Sequence, residues 1–80
     1  MSHTIFRLPA VQAATGLSRS TLYLRVQQGL LPRPVPLGAR AVGWPEREVD
    51  ALNAARIAGK SDAEIRCLVE KLEADRRLAA

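Results

Sequence analysis

Val11-Gln12-Ala13-Ala14-Thr15-Gly16-Leu17-Ser18-Arg19-Ser20-Thr21-Leu22-Tyr23 decides the fold of this 80-residue chain. The segment reads as a helix, a glycine turn and a second helix. Gly16 tolerates the left-handed backbone on which helices end, and Leu17 turns inward as a core plug. Ser18 is an N-cap, its hydroxyl accepting an early backbone N–H of the next helix. Leu22 and Val26, four apart, continue the buried stripe that Leu17 begins. The second helix is expected to run to about Gln28 and to stop at Gly29. Its first turn is Ser18, Arg19, Ser20 and Thr21, the part of a helix-turn-helix that meets base edges and phosphates.

Outward from this unit, Leu8, Val11 and Ala14 have the spacing of a short helix that ends near Thr15. Pro9 suits a first helical position, where its missing N–H is not needed. Residues 1–7, with the only histidine (His3), read as a partly loose arm, and order is expected to begin at Arg7 and Leu8. Downstream, Leu30-Leu31-Pro32-Arg33-Pro34 cannot be helical, because it holds two prolines. Val35-Pro36-Leu37 and Ala41-Val42-Gly43-Trp44 flank Gly38-Ala39-Arg40 and read as a β-hairpin, with Pro36 confining its strand to an edge. A hairpin in this position is a wing with Arg40 at its tip, and Trp44 reads as core, packing the wing onto the helices.

A third helix is expected from near Pro45 to Ala58-Gly59, with Glu46 and Glu48 complementing its dipole and Val49 and Leu52 facing the core. Ser61-Asp62-Ala63-Glu64 is a capping box that opens a fourth helix. Its stripe Ile65, Leu68, Val69 and Leu72 is expected to cover the body of the domain. The opposite side carries Ala63, Cys67, Ala74 and Leu78 and leaves self-association open. The expected fold is mostly α: a winged helix-turn-helix with a short β-hairpin wing and an added C-terminal helix. Residues 1–60 would form the DNA-binding domain, and residues 61–80 an amphipathic helix packed on it or mediating self-association.

Charge supports the same direction. The first 45 residues carry five arginines and no acidic residue, and the first carboxylate is Glu46. Residues 1–60 hold 8 basic and 3 acidic residues, while residues 61–80 hold 4 and 5. A basic body with a near-neutral tail suggests that the body meets a polyanion. The plain alternative is charge that serves solubility. All eight acids follow residue 45, on faces that read as solvated.

Other classes lack their residues. Cys67 is the only cysteine, so neither an intrachain disulfide nor a cysteine zinc site can form. No histidine–carboxylate or cysteine–histidine pair, glycine-rich phosphate loop or metal-ligand cluster stands out. The expectation is a non-enzyme without cofactor or metal. No apolar run approaches a membrane span, and no signal-peptide pattern is present, so the chain reads as intracellular.

Within the basic half, Arg19 can pair with guanine O6 and N7 or with phosphate. A merely solvated Arg19, and a Ser18 that only caps, are the plain alternatives. Ser20 and Thr21 offer hydroxyls to either partner. Arg25, two turns on, would reach flanking backbone, and Gln28 closes the set at the helix end. Tyr23 leaves two readings open, a core ring with an outward hydroxyl or a base contact. Arg40 would lie along a phosphate strand or in a narrow minor groove.

Several of these segments together resemble the AlpA family of phage and prophage transcriptional regulators. They are Arg7-Leu8-Pro9-Ala10-Val11, Thr15 through Tyr23, Gly29, Pro34 through Trp44, and Glu48-Val49. Leu52 through Asp62 is similar to one branch of that family. The resemblance covers about residues 5–75, and its wing motif is specific. It implies a winged-helix domain related to the MerR and excisionase groups, acting in a bacterium or mobile element on genes such as a prophage integrase. It also implies DNA contact by Ser18, Arg19, Ser20, Thr21 and Arg40. One departure concerns the second helix: many members have a basic residue at the position of Leu24 and an apolar one after it, whereas here Arg25 follows.

The sequence thus reads as a sequence-specific regulator that binds double-stranded DNA in the bacterial cytoplasm, at the nucleoid. RNA polymerase, an integrase and a second copy of the chain remain open as protein partners. An excisionase-like architectural protein is the alternative within DNA binding. A protein-interaction adaptor or antitoxin-like module is the alternative outside it.

Overall fold

The left-handed Gly16 (φ 74°) ends the first helix, α1 (Leu8–Thr15), its N–H donating to the Gln12 carbonyl at 2.8 Å. A side chain would be strained there, and the chain needs that turn to redirect itself into α2 (Arg19–Gln27). After α2, the N–H of Gly29 reaches the Val26 carbonyl and that of Leu30 reaches the Arg25 carbonyl, the paired bonds of a Schellman ending. This ending delivers Leu30 and Leu31 into the core. The computed structural model describes residues 4–78.

Three short strands follow from here. β1 (Ile5–Phe6) precedes α1, and β2 (Val35–Pro36) and β3 (Val42–Pro45) form the wing. They make one antiparallel sheet in the order β1-β3-β2. Ile5 pairs with Pro45 and Phe6 with Trp44 on one side of β3, and Val35 pairs with Gly43 and Pro36 with Val42 on the other. Pro36 lies on an edge strand, as its missing N–H requires. Leu37 N–H donates to the Ala41 carbonyl at 2.7 Å and closes the hairpin below the bend at Gly38, Ala39 and Arg40.

β1 corrects the expectation of a loose arm over residues 1–7. Residues 1–3, with His3, lie outside the described residues; Ile5 and Phe6 are paired in the sheet. Gly43 makes the pairing possible. A Cβ there would stand 2.5 Å from Ile5 Cγ2 and 2.9 Å from the Phe6 carbonyl oxygen. The segment also caps the next helix: Glu46 N–H, an orphan donor at the start of α3 (Glu46–Ile57), finds the Thr4 carbonyl at 2.8 Å.

The core collects one or two side chains from each helix around Trp44. Val11, Leu22, Val49, Leu52, Ile65 and Val69 are buried with it, and Leu30 and Leu31 fill the side after α2. Ile65 and Val69 come from α4 (Asp62–Asp75), with Leu68 and Leu72 packed against the same core. The capping box that opens α4 is present in both directions. The backbone N–H and hydroxyl of Ser61 hold the Glu64 carboxyl below the usual carboxylate range.

A second correction concerns the acids. Glu48 is not solvated: it is 1 % exposed. The turn after α4, Arg76–Leu78, closes over it, and Arg76 donates to both carboxylate oxygens, at 2.9 Å from Nε and 2.7 Å from Nη2. The same Nη2 donates to the Arg33 carbonyl at 2.7 Å. Three residues before Arg76, Glu73 accepts from the Arg33 N–H at 2.8 Å.

Arg76→Met should destabilise the protein strongly. Removing one partner of a buried pair costs roughly 3–5 kcal/mol, and less here because the Arg76 side chain keeps 24 % exposure. Adding Glu48→Met should recover most of the loss, because no uncompensated charge is then buried. Urea unfolding of wild type, single and double variants measures both. A double variant no more stable than the single would show that the carboxylate was not the source of the cost.

Candidate nucleic-acid interface

The first turn of α2 is built by its cap. Ser18 is extended (φ −73°, ψ 163°), and its hydroxyl accepts from the Thr21 N–H at 3.3 Å. The same hydroxyl donates to Thr21 Oγ1 at 2.9 Å and lies 3.4 Å from Ser20 Oγ. Leu22 N–H returns to the Ser18 carbonyl. The helix's first two N–H groups, those of Arg19 and Ser20, have no partner among the described residues, and the dipole adds positive potential at that end. Thr21 Oγ1 accepts from the Ser18 hydroxyl, and a threonine hydroxyl can also donate.

Ser18, Arg19 and Ser20 are exposed, and Thr21 is half-buried. These four stand together. Tyr23 joins them through Arg19, whose guanidinium carbon lies 5.9 Å from the Tyr23 ring centre. The Tyr23 ring is half-buried and meets Trp44 edge-on, with centres 6.2 Å apart and planes at 62°.

Helix geometry then divides the remaining positions. At about 100° per residue, a helix that buries Leu22 turns Ser20, Leu24 and Gln27 outward. Leu24 is 50 % exposed, and Gln27 is exposed as well. Neither was among the expected site residues, although the phase set by Leu22 contained the signal. Arg19 and Tyr23 lie on the flank next to Trp44. Arg25 and Gln28 lie on the other flank. Arg25 is half-buried and lines a groove of about 210 Å³ with Leu17, Leu52, Asn53 and Arg56. Gln28 is exposed, and its carbonyl accepts from Arg66 Nε of α4 at 2.8 Å. Arg40 stands apart from all of these, exposed at the wing tip.

The cations are sorted by their partners. Arg33, Arg56, Lys60 and Arg76 each have a carboxylate partner. Arg47, Arg66, Lys71 and Arg77 have none among the described residues, and neither do Arg19, Arg25 and Arg40 of the acid-free first 45 residues. Their region holds no acid to pair with, so their charge is available to an outside anion. Arg7 is oriented differently, its Nε donating to the Val42 carbonyl of β3 at 3.1 Å. Among the described residues, no helix is long and apolar enough to cross a membrane, and no group of histidine, cysteine and acidic side chains could hold a metal ion.

Two helices joined by a glycine turn, a three-stranded sheet ending in a wing, and further helices behind them define a winged helix-turn-helix protein that is mostly α. Residues 4–57 match the family described as prophage CP4-57 regulatory protein (AlpA), and the chain belongs to that family. It is similar to an uncharacterised protein, ORF88, of Enterobacteria phage P4, with 46 % identity over 54 residues, 68 % of this chain and 61 % of that protein. The chain thus spans less than two thirds of the phage protein's length. It is also similar to the DNA-binding transcriptional activator AlpA of Escherichia coli K12, with 38 % identity over 52 residues, 58 % of this chain and 74 % of that protein.

Ser18→Ala should lower stability by about 1 kcal/mol, the usual cost of losing an N-cap. The Thr21 N–H would lose its acceptor and Thr21 Oγ1 its donor. Urea unfolding checks it. A variant as stable as wild type would show that the cap geometry contributes nothing in solution.

Proposed function

We propose that this chain is a sequence-specific DNA-binding regulator of transcription for a prophage or other integrated element, acting in the bacterial cytoplasm. In this reading α2 enters the major groove with its first turn foremost. Arg19 reads a base edge, Ser20 and Thr21 contact bases or phosphate, and the open N–H groups of Arg19 and Ser20 receive a phosphate. Leu24 and Gln27 join the groove-facing ridge. Arg40 carries the wing along a phosphate strand or into the minor groove.

The observation that carries the reading is the coincidence of three features in one small domain. They are a helix N-terminus with unpaired N–H groups, arginines without carboxylates, and a wing on the same body. Membership of the AlpA family supports regulation as the purpose of that contact. Arg25 and Gln28, on the far flank, would meet the opposite backbone.

The test is duplex binding across a salt series, with random duplex and a duplex enriched by the protein from a randomised pool. Arg19→Ala should reduce discrimination between the two by roughly 1–3 kcal/mol. Arg40→Ala should weaken both alike and flatten the slope of log affinity against log salt by about 1. Duplex binding that ignores salt, or equal affinity for both duplexes in the wild type, would sink the proposal. A reporter driven from the enriched site then asks whether binding changes transcription.

A further inference from the structure

We propose that Tyr23 is a positioning residue: its ring, braced edge-on by the buried Trp44, aims the Arg19 guanidinium, and its hydroxyl is not the DNA contact. This rests on the reading of α2 as the helix that enters the groove.

An exposed arginine with no carboxylate partner is ordinarily mobile, and a bidentate contact must then order a long side chain. Arg19 is not left so. Tyr23 is four residues on, which places the two side chains on one flank of α2. The guanidinium carbon is 5.9 Å from the ring centre, inside the roughly 6 Å reach of a cation–π contact. The ring in turn is braced. Trp44 meets it at 6.2 Å and 62°, the edge-to-face geometry that aromatic pairs favour. Trp44 is wholly buried, and its indole Nε1 donates to the Pro32 carbonyl at 2.8 Å. A fixed series of contacts therefore runs from a buried carbonyl, through two rings, to one exposed cation.

Trp44, the inner ring of the series, lies on β3, the strand that carries the wing. Arg19 is thus aimed from the wing side of α2, and the seating of β3 against α2 sets where the guanidinium points. Arg25, on the other flank, is not supported in this way: it borders a groove of leucine, asparagine and arginine side chains. The asymmetry assigns sequence reading to the Arg19 flank.

The experiment compares Tyr23→Phe, Tyr23→Leu, Arg19→Ala and the double variant Arg19→Ala/Tyr23→Leu, each shown by circular dichroism to be folded at the assay temperature. The probes are the enriched duplex and a scrambled duplex of equal length. Tyr23→Phe should keep the wild-type ratio of affinities. Tyr23→Leu should lower it by about two- to fivefold, as expected for an exposed cation–π contact. In the Arg19→Ala background, Tyr23→Leu should cause no further loss of ratio, because the ring would act only through Arg19. NMR of the free protein supplies a readout that neither stability nor DNA affects. The Arg19 side-chain protons should carry a ring-current shift in wild type and Tyr23→Phe, and lose it in Tyr23→Leu.

A Tyr23→Phe protein as impaired as Tyr23→Leu would make the hydroxyl the contact and overturn the proposal. Additive losses in the double variant, or Arg19 shifts unchanged in Tyr23→Leu, would overturn it too. If Arg19→Ala itself leaves the ratio unchanged, the groove reading of α2 fails and the aiming role fails with it; the shift data would still record whether the stack exists.

Discussion

Trp44 is the side chain on which the other elements are seated. The chain has three aromatic residues, Phe6, Tyr23 and Trp44, and all three meet at β3. Phe6 is the register partner of Trp44 from β1, and Tyr23 meets the indole edge-on from α2. The indole N–H closes on the Pro32 carbonyl, so the wing, the proline segment and α2 share one fixed point. A small core made mostly of leucine and valine has little else large enough to set the angle between a hairpin and a helix. Without this bulk the wing could slide on the helical body, and the positions of Arg19 and Arg40 would not be fixed relative to each other.

Charge is organised by the same division. Carboxylates occur only from Glu46 onward, and the cations that pair with them are Arg33, Arg56, Lys60 and Arg76. These pairs join residues of α3, α4 and the loops, and only in Arg76–Glu48 is the carboxylate buried. The arginines of α2 and the wing have no carboxylate partner among the described residues. Exposed ion pairs contribute little to stability, so leaving Arg19 and Arg40 unpaired costs the fold little. For association with a polyanion the lack of such a pair matters more, because no internal carboxylate has to be displaced.

Much of this was legible in the sequence because it depends on local chemistry. Gly16, Ser18, Gly29 and the Ser61–Glu64 box each act within four residues, and each forms the turn, cap or stop its type suggests. The hairpin was legible from Pro36 and the glycine in its turn. Two features were not. β1 is two residues long, too short for any alternation, and exists because Gly43, distant in sequence, leaves room for Ile5 and the Phe6 backbone. Glu48 looked like an ordinary first-turn acid; its burial depends on Arg76, 28 residues away. In the candidate site, the first turn of α2 could be read from its cap. The outward placement of Leu24 and Gln27, and the stacking of Arg19 on Tyr23, needed the helix's phase and the position of Trp44.

The segment between α2 and the wing explains why the C-terminal helix is tied to the body by polar contacts as well as apolar ones. Pro32 and Pro34 have no N–H, so this stretch cannot satisfy its own backbone by helix or ladder, and buried backbone groups must still be paired. Three distant side chains supply the partners. Trp44 donates to the Pro32 carbonyl, Arg76 to the Arg33 carbonyl, and Glu73 accepts from the Arg33 N–H. Two of the three come from the end of α4 and the turn that follows it. Arg76 also neutralises Glu48 in α3, so one guanidinium joins α3, the proline segment and the C-terminal turn. The carbonyl that anchors Trp44 is adjacent to the residue that Arg76 and Glu73 hold. Glu73 of α4 and Trp44 of β3 therefore hold the two ends of a single peptide unit, the Arg33 N–H and the Pro32 carbonyl.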